Sequence, residues 1–219
     1  MKNLECRFFS IKKSIPKNIE ILAVSKNQNL SSIERLYQIG HRDFGENYVQ
    51  EMIQKYKKLP KDIRWHMIGV IQKNKLKYIV PFIHLIHSVQ KIEHLQIINK
   101  EAFKHNRVIK CLLQIKICNE ISKTGITNQE SDNIMNNDIY HHMKNVKIIG
   151  LMGMASIHGS TQKIKHEFFS LKKLYKEYQI KYQHHILSMG MSNDYPIAIE
   201  YGSTHIRLGT SLFGKRKLP

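Results

Sequence analysis

Leu187-Ser188-Met189-Gly190-Met191-Ser192, followed by Gly202-Ser203-Thr204 and Ile206-Arg207-Leu208-Gly209-Thr210, sets two short apolar runs close together, with small, hydroxyl-bearing turns beside them. Runs of this length bounded by turn residues read as buried strands. Residues 195–201 between them read as a short helix. Strand, turn and helix in alternation are the unit of a parallel α/β fold. Glycines let backbone approach a ligand closely, and the N–H and hydroxyl groups after them can bind phosphate oxygens.

The same rhythm extends outward to the N-terminus. Strands are predicted at 19–24, 42–46, 64–70, 83–89, 108–117, 146–152, 185–189 and 204–208. Helices are predicted at 30–39, 48–57, 73–78, 92–105, 131–143, 163–178 and 195–201. Gly40 follows the first helix as a stop signal. Eight strands alternating with helices close naturally into a single (β/α)8 barrel. An open doubly wound sheet is the alternative, but no GxGxxG turn follows the first strand. No Pro/Gly/Ser-rich linker interrupts the chain, so residues 1–219 are expected to form one domain.

Composition bounds the function. The 219 residues are 42% hydrophobic and 24% charged, a globular balance. No apolar stretch approaches the roughly 18 residues of a membrane span, and residues 1–14 do not read as a secretory signal. Three cysteines, Cys6, Cys111 and Cys118, make an odd count without CxxC spacing. Cys111 and Cys118 fall on one predicted strand, on opposite faces. A reduced, cytoplasmic protein is expected. The net charge of +18 raises nucleic acid as a partner. The lysines are nevertheless scattered, from Lys12-Lys13 to the Lys215-Arg216-Lys217 run, and no aromatic RNA-binding motif accompanies them. A solvated basic surface is the simpler reading.

In such a barrel the site lies at the C-terminal strand ends. The polar groups there are Lys26, Glu46, Asn47, His66, His87, Ser88, Ser188 to Ser192, Arg207, Gly209 and Thr210, with Gly69 and Met152-Gly153-Met154 beside them. Lys26 ends the apolar run Ile19-Glu20-Ile21-Leu22-Ala23-Val24-Ser25. Desolvation at a barrel mouth lowers an ammonium pKa and yields a nucleophilic amine. A surface cap is the alternative reading of the same lysine. Paired with the distant hydroxyl-rich turns, Lys26 suggests a phosphorylated aldehyde as cofactor. Arg207 lies within an apolar run and needs a partner if buried. His66, His87 and His158 lack ligand-like pairing, so no metal is expected. Trp65 and Phe44 read as core.

These residues resemble the pyridoxal-phosphate homeostasis proteins, single-domain relatives of the alanine racemase barrel. The resemblance rests on Leu22-Ala23-Val24-Ser25-Lys26, Phe44-Gly45-Glu46-Asn47-Tyr48, Trp65-His66-Met67-Ile68-Gly69 with Gln72 and Asn74-Lys75, and His87-Ser88-Val89. It continues through Ser122-Lys123-Thr124-Gly125, Gly150-Leu151-Met152-Gly153-Met154, the Leu187 to Ser192 run with Asp194, and Gly202-Ser203-Thr204 through Arg207-Leu208-Gly209-Thr210 to Phe213-Gly214.

The resemblance implies that Lys26 forms an internal aldimine with pyridoxal 5'-phosphate. It implies that Ser192, Gly209 and Thr210 hold the phosphate, that Arg207 faces the pyridine nitrogen, and that Asn47 lies beside the ring. A guanidinium has no acceptor, so the ring nitrogen it meets is unprotonated and a poor electron sink. The implied role is a cofactor carrier or buffer, not an enzyme, as monomer or dimer, with pyridoxal-phosphate-dependent apoenzymes as recipients and no membrane partner. An amino-acid racemase of low activity is the second reading, against which the chain ends soon after the eighth strand and offers only Lys26 as a base. A basic nucleic-acid-binding protein is the third. The chain departs from the family pattern at Val70, where histidine is common, and at Lys116, Cys118 and Asn119 before Glu120. The short segment ahead of the first strand suggests a truncated leading helix.

Overall fold

Eight parallel strands close on themselves in sequence order, with β8 returning to β1. They are β1 (Glu20–Val24), β2 (Asp43–Glu46), β3 (Arg64–Met67), β4 (Leu85–Val89), β5 (Ile109–Ile115), β6 (Val146–Gly153), β7 (Ile186–Met191) and β8 (His205–Leu208). The computed structural model describes residues 3–120 and 123–214. Ser122 and the Lys215-Arg216-Lys217 run lie outside them.

The outer layer comprises α1 (Leu4–Ser14), α2 (Leu30–Gln38), α3 (Val49–Lys58), α4 (Leu76–Ile79) after a 3-10 turn at Lys73–Lys75, α5 (Ile92–Lys104), α6 (Asn128–Met135), α7 (Asp138–His141), α8 (Thr161–Tyr182), α9 (Tyr195–Glu200) and α10 (Thr210–Phe213). The predicted barrel is the observed one, with three differences. The leading helix is present: Asn3 caps α1 by accepting from the Cys6 N–H, and Leu4 and Phe8, one turn apart, are buried. The single helix expected at 131–143 is two. Asn136 and Asn137 interrupt it, and the Asn137 side chain accepts from the Ile139 N–H to start α7, which is the way asparagine competes with helical backbone. Cys118 lies beyond the end of β5 and not on the same strand as Cys111; both are buried free thiols.

Strand alternation divides the core in two. Residues such as Phe44, Trp65, Leu187, Ile206 and Leu208 pack outward against the helices. The barrel interior is half apolar, with Leu85, Leu112, Ile149, Met152 and Ile186 in one cluster. Its other half is polar, holding the buried side chains of Asp43, His66, His87, Ser188 and Arg207. No described helix is long and apolar enough to cross a membrane.

Candidate functional site

A cavity of about 330 Å³ opens at the C-terminal mouth of the barrel. Lys26, Asn47, Ser192, Arg207, Gly209 and Thr210 all line it, drawn from the ends of β1, β2, β7 and β8. The volume lies within the range of small-molecule sites. A roomier cleft of about 580 Å³ against α1 is lined by Phe8, Phe9, Lys12, Lys13 and Lys17 and gathers no comparable set of groups.

The turn after β7 and the turn after β8 meet on one oxygen. The Gly209 and Ser211 N–H groups both donate to Ser192 Oγ at 3.2 Å, and the Ser211 hydroxyl lies 3.0 Å away. Donors converging on a single oxygen suit an anion. Asp194 accepts from the Met191 N–H and steadies the turn. Gly190 makes the turn possible: its φ is +91°, and a Cβ there would come within 2.6 Å of the Ala198 Cβ.

Arg207 is 4% exposed and its partners are not carboxylates. Nη1 donates to the Ser188 carbonyl at 2.8 Å and to Ser188 Oγ at 2.7 Å, and Nη2 donates to the Gly153 carbonyl at 2.9 Å. Three of the five N–H groups of the guanidinium are thereby used, and the residue still lines the cavity. Burial pulls its pKa down to about 10, with Asp194 opposing, so it stays charged at neutral pH.

Lys26 is half-buried in the turn after β1. The backbone on either side of it is anchored by a buried ionic cluster. The Ser25 hydroxyl donates to Glu46 Oε1 at 2.6 Å, and the Asn27 N–H donates to Glu51 Oε1 at 2.6 Å. Lys55 Nζ donates to both carboxylates at 2.7 Å and to the Ser25 carbonyl at 2.6 Å. Asn47 is held from the next strand: a Cβ on Gly69 would lie 2.1 Å from the Asn47 carbonyl oxygen, so only glycine fits there. The Gly69 carbonyl in turn accepts from the Ser88 hydroxyl at 2.6 Å.

Several strand-end candidates do not reach the mouth. Glu46 faces α3, His66 and His87 lie inside the barrel, and Ser88 bonds Gly69. His158 is exposed. Among the described residues no cluster of three His, Cys, Asp or Glu could hold a metal ion. Ser156 and Ile164 also lie on the cavity wall, where no strand-end pattern points to them. Ser156 is fixed by Glu167 of α8, which accepts from its N–H at 2.8 Å and its hydroxyl at 2.6 Å. The available signal was an acidic residue beside Phe168 and Leu171, which α8 turns toward the core.

The donor set fits pyridoxal phosphate: an amine, a nest of N–H and hydroxyl groups for a phosphate, and a buried guanidinium that can only donate. Residues 1–217 match the family model described as alanine racemase, N-terminal domain. A pyridoxal phosphate homeostasis protein of Aquifex aeolicus (strain VF5) is 36% identical over 204 residues, covering 90% of this chain and 87% of that protein. One from Synechocystis sp. is 37% identical over 209 residues, covering 93% and 94%. The structure of PipY from Synechococcus elongatus PCC7942 with PLP bound superposes with a TM-score of 0.88 at 32% identity, covering 97% of this chain and 100% of that one. The chain therefore belongs to the pyridoxal phosphate homeostasis proteins, within the family built on the alanine racemase N-terminal domain.

Proposed function

We propose that this protein binds pyridoxal 5'-phosphate in the mouth of the barrel, tethered reversibly at Lys26, and carries or buffers it for other proteins. The observation that supports this most is the convergence of six residues from four strands on one cavity. The relatives' shared name and the PLP-bound PipY structure support the same ligand. When bound, the cofactor supplies an aldehyde that condenses reversibly with a primary amine.

The chain's own residues supply the rest. Lys26 provides the amine, and the Ser25, Glu46, Glu51 and Lys55 cluster holds its backbone. Ser192, Gly209 and Thr210 bind the phosphate, Arg207 donates to the ring nitrogen, and Asn47 borders the ring. Because Arg207 has no acceptor to offer, it keeps that nitrogen unprotonated and restrains carbanion chemistry. Reversible storage is favoured over transamination.

Absorbance titration with pyridoxal phosphate tests the binding: the parent should develop a new visible band that Lys26→Ala lacks. An assay of D- and L-alanine interconversion tests the role. The carrier reading expects turnover far below about 1 per second, and turnover at ordinary enzyme rates would replace it with the racemase reading.

A further inference from the structure

Arg207 stands at the head of a hydrogen-bonded column that runs down the polar half of the barrel. Its Nη1 donates to Ser188 Oγ at 2.7 Å. Ser188 Oγ lies 3.1 Å from His87 Nδ1, His87 Nε2 lies 3.0 Å from His66 Nδ1, and His66 Nε2 lies 3.1 Å from Asp43 Oδ1. Arg64 closes the far end by donating from Nε and Nη2 to the two Asp43 oxygens. The column crosses β8, β7, β4, β3 and β2, and each of its members from Arg207 to Asp43 is at most 8% exposed.

Both ends have a fixed sense. A guanidinium only donates, and an ionised carboxylate only accepts. Burial opposes ionisation of Asp43, but hydrogen bonds from His66 and Arg64 override it and hold the carboxyl well below its ordinary range. Burial also holds His87 neutral, far below its ordinary value. With neutral rings one arrangement satisfies every link. Arg207 donates to Ser188, the Ser188 hydroxyl to His87 Nδ1, His87 Nε2–H to His66 Nδ1, and His66 Nε2–H to Asp43. A second proton on His66 would reverse the His66–His87 and His87–Ser188 links and leave the buried Ser188 hydroxyl without an acceptor in the column, a costly state.

We propose, on the cofactor reading above, that Ser188, His87 and His66 are positioning residues for Arg207, and that their column holds the guanidinium facing the cofactor ring. A second cavity of about 520 Å³ at the N-terminal mouth of the barrel borders the Asp43 end of the column. Asp43 and Arg64 face His66 at its carboxylate side, His87 faces it from above, and Glu20, His84, Lys110, His185 and His205 share that cavity with it. The polar half of the barrel thus joins its two ends.

Nitrogen-15 NMR of the ring nitrogens in the full-length protein tests the column directly. At pH 7.5 both His66 and His87 should carry their proton on Nε2. An Nδ1–H tautomer at either ring at pH 7.5 overturns the proposal.

The effect on the cofactor is read by absorbance titration. Ser188→Ala and His87→Leu should raise the dissociation constant about tenfold and displace the bound cofactor's band. His87→Gln keeps one donor and one acceptor and should return toward the parent. If the parent binds at Lys26 but Ser188→Ala and His87→Leu, folded by calorimetry, match its affinity and band, the column has no such role. A parent with no adduct at Lys26 overturns the reading of the cavity, and any role of the column toward a cofactor falls with it.

Discussion

Replacing Lys55 with methionine removes the cation behind Lys26 while keeping most of the side-chain volume. In the parent, Lys55 bonds Glu46, Glu51 and the Ser25 carbonyl. The Glu46 side chain is fully buried, and its Oε2 has no hydrogen-bond partner. Burial pushes the Glu46 carboxyl up to about 7, against the pull of Lys55 and the Ser25 hydroxyl. A carboxyl raised in the folded state contributes fully below its unfolded value near 4.5. That contribution then declines by about 1.4 kcal/mol per pH unit until the group ionises near 7. Without Lys55 only the Ser25 hydroxyl offsets the cost of burying the charge, so the decline continues above pH 7. Lys55→Met should lose about 3–5 kcal/mol at pH 8.5, roughly 6–20 °C in melting temperature for a chain of this size. At pH 6, where Glu46 is protonated in both proteins, the loss should be clearly smaller. Urea unfolding at both pH values measures it, with Lys55→Met/Glu46→Gln as the control whose deficit should not grow with pH. A deficit in Lys55→Met that is the same at pH 6 and 8.5 refutes the reasoning.

His184 is 1% exposed, packs against Tyr178 and Tyr182, and has no partner at either ring nitrogen. Burial lowers it from 6.5 to about 4, so its contribution is complete above 6.5 and is lost as pH falls toward 4. His184→Phe should therefore gain about 2 kcal/mol on the parent between pH 7.5 and pH 5; an unchanged gap in urea unfolding would count against a neutral buried ring. Gly69→Ala should cost about 1–3 kcal/mol through its clash with the Asn47 carbonyl and weaken pyridoxal phosphate binding as well; full affinity would show that Asn47 has no part in the site. Ser192→Ala should raise the dissociation constant for pyridoxal phosphate about tenfold with little change in melting temperature, and parent-like affinity would remove Ser192 from the phosphate cradle.

The strands were legible because parallel strands are buried on both faces and read as continuous apolar runs. The six cavity residues were legible for a related reason, since a barrel mouth is built from whatever follows those runs. The leading helix was harder: its sequence is rich in Lys and Arg, and only Leu4 and Phe8 mark a buried stripe. Lys55 gave no signal either. It sits among Lys57 and Lys58 on a basic helix, and only the fold brings Glu46 beneath it. His66 and His87 were visible as strand residues, but their pairing with each other and with Ser188, 101 residues after His87, exists only in the closed barrel. Side chains whose partners lie across the barrel have no local pattern to betray them.

The proposed function depends on where the cofactor attaches. Borohydride reduction of the full-length protein with pyridoxal phosphate, followed by peptide mapping, answers that directly. One dominant adduct is expected, on the peptide carrying Lys26, and it should disappear in Lys26→Ala. No adduct, or one distributed over the surface lysines and unchanged in Lys26→Ala, would contradict the proposed function.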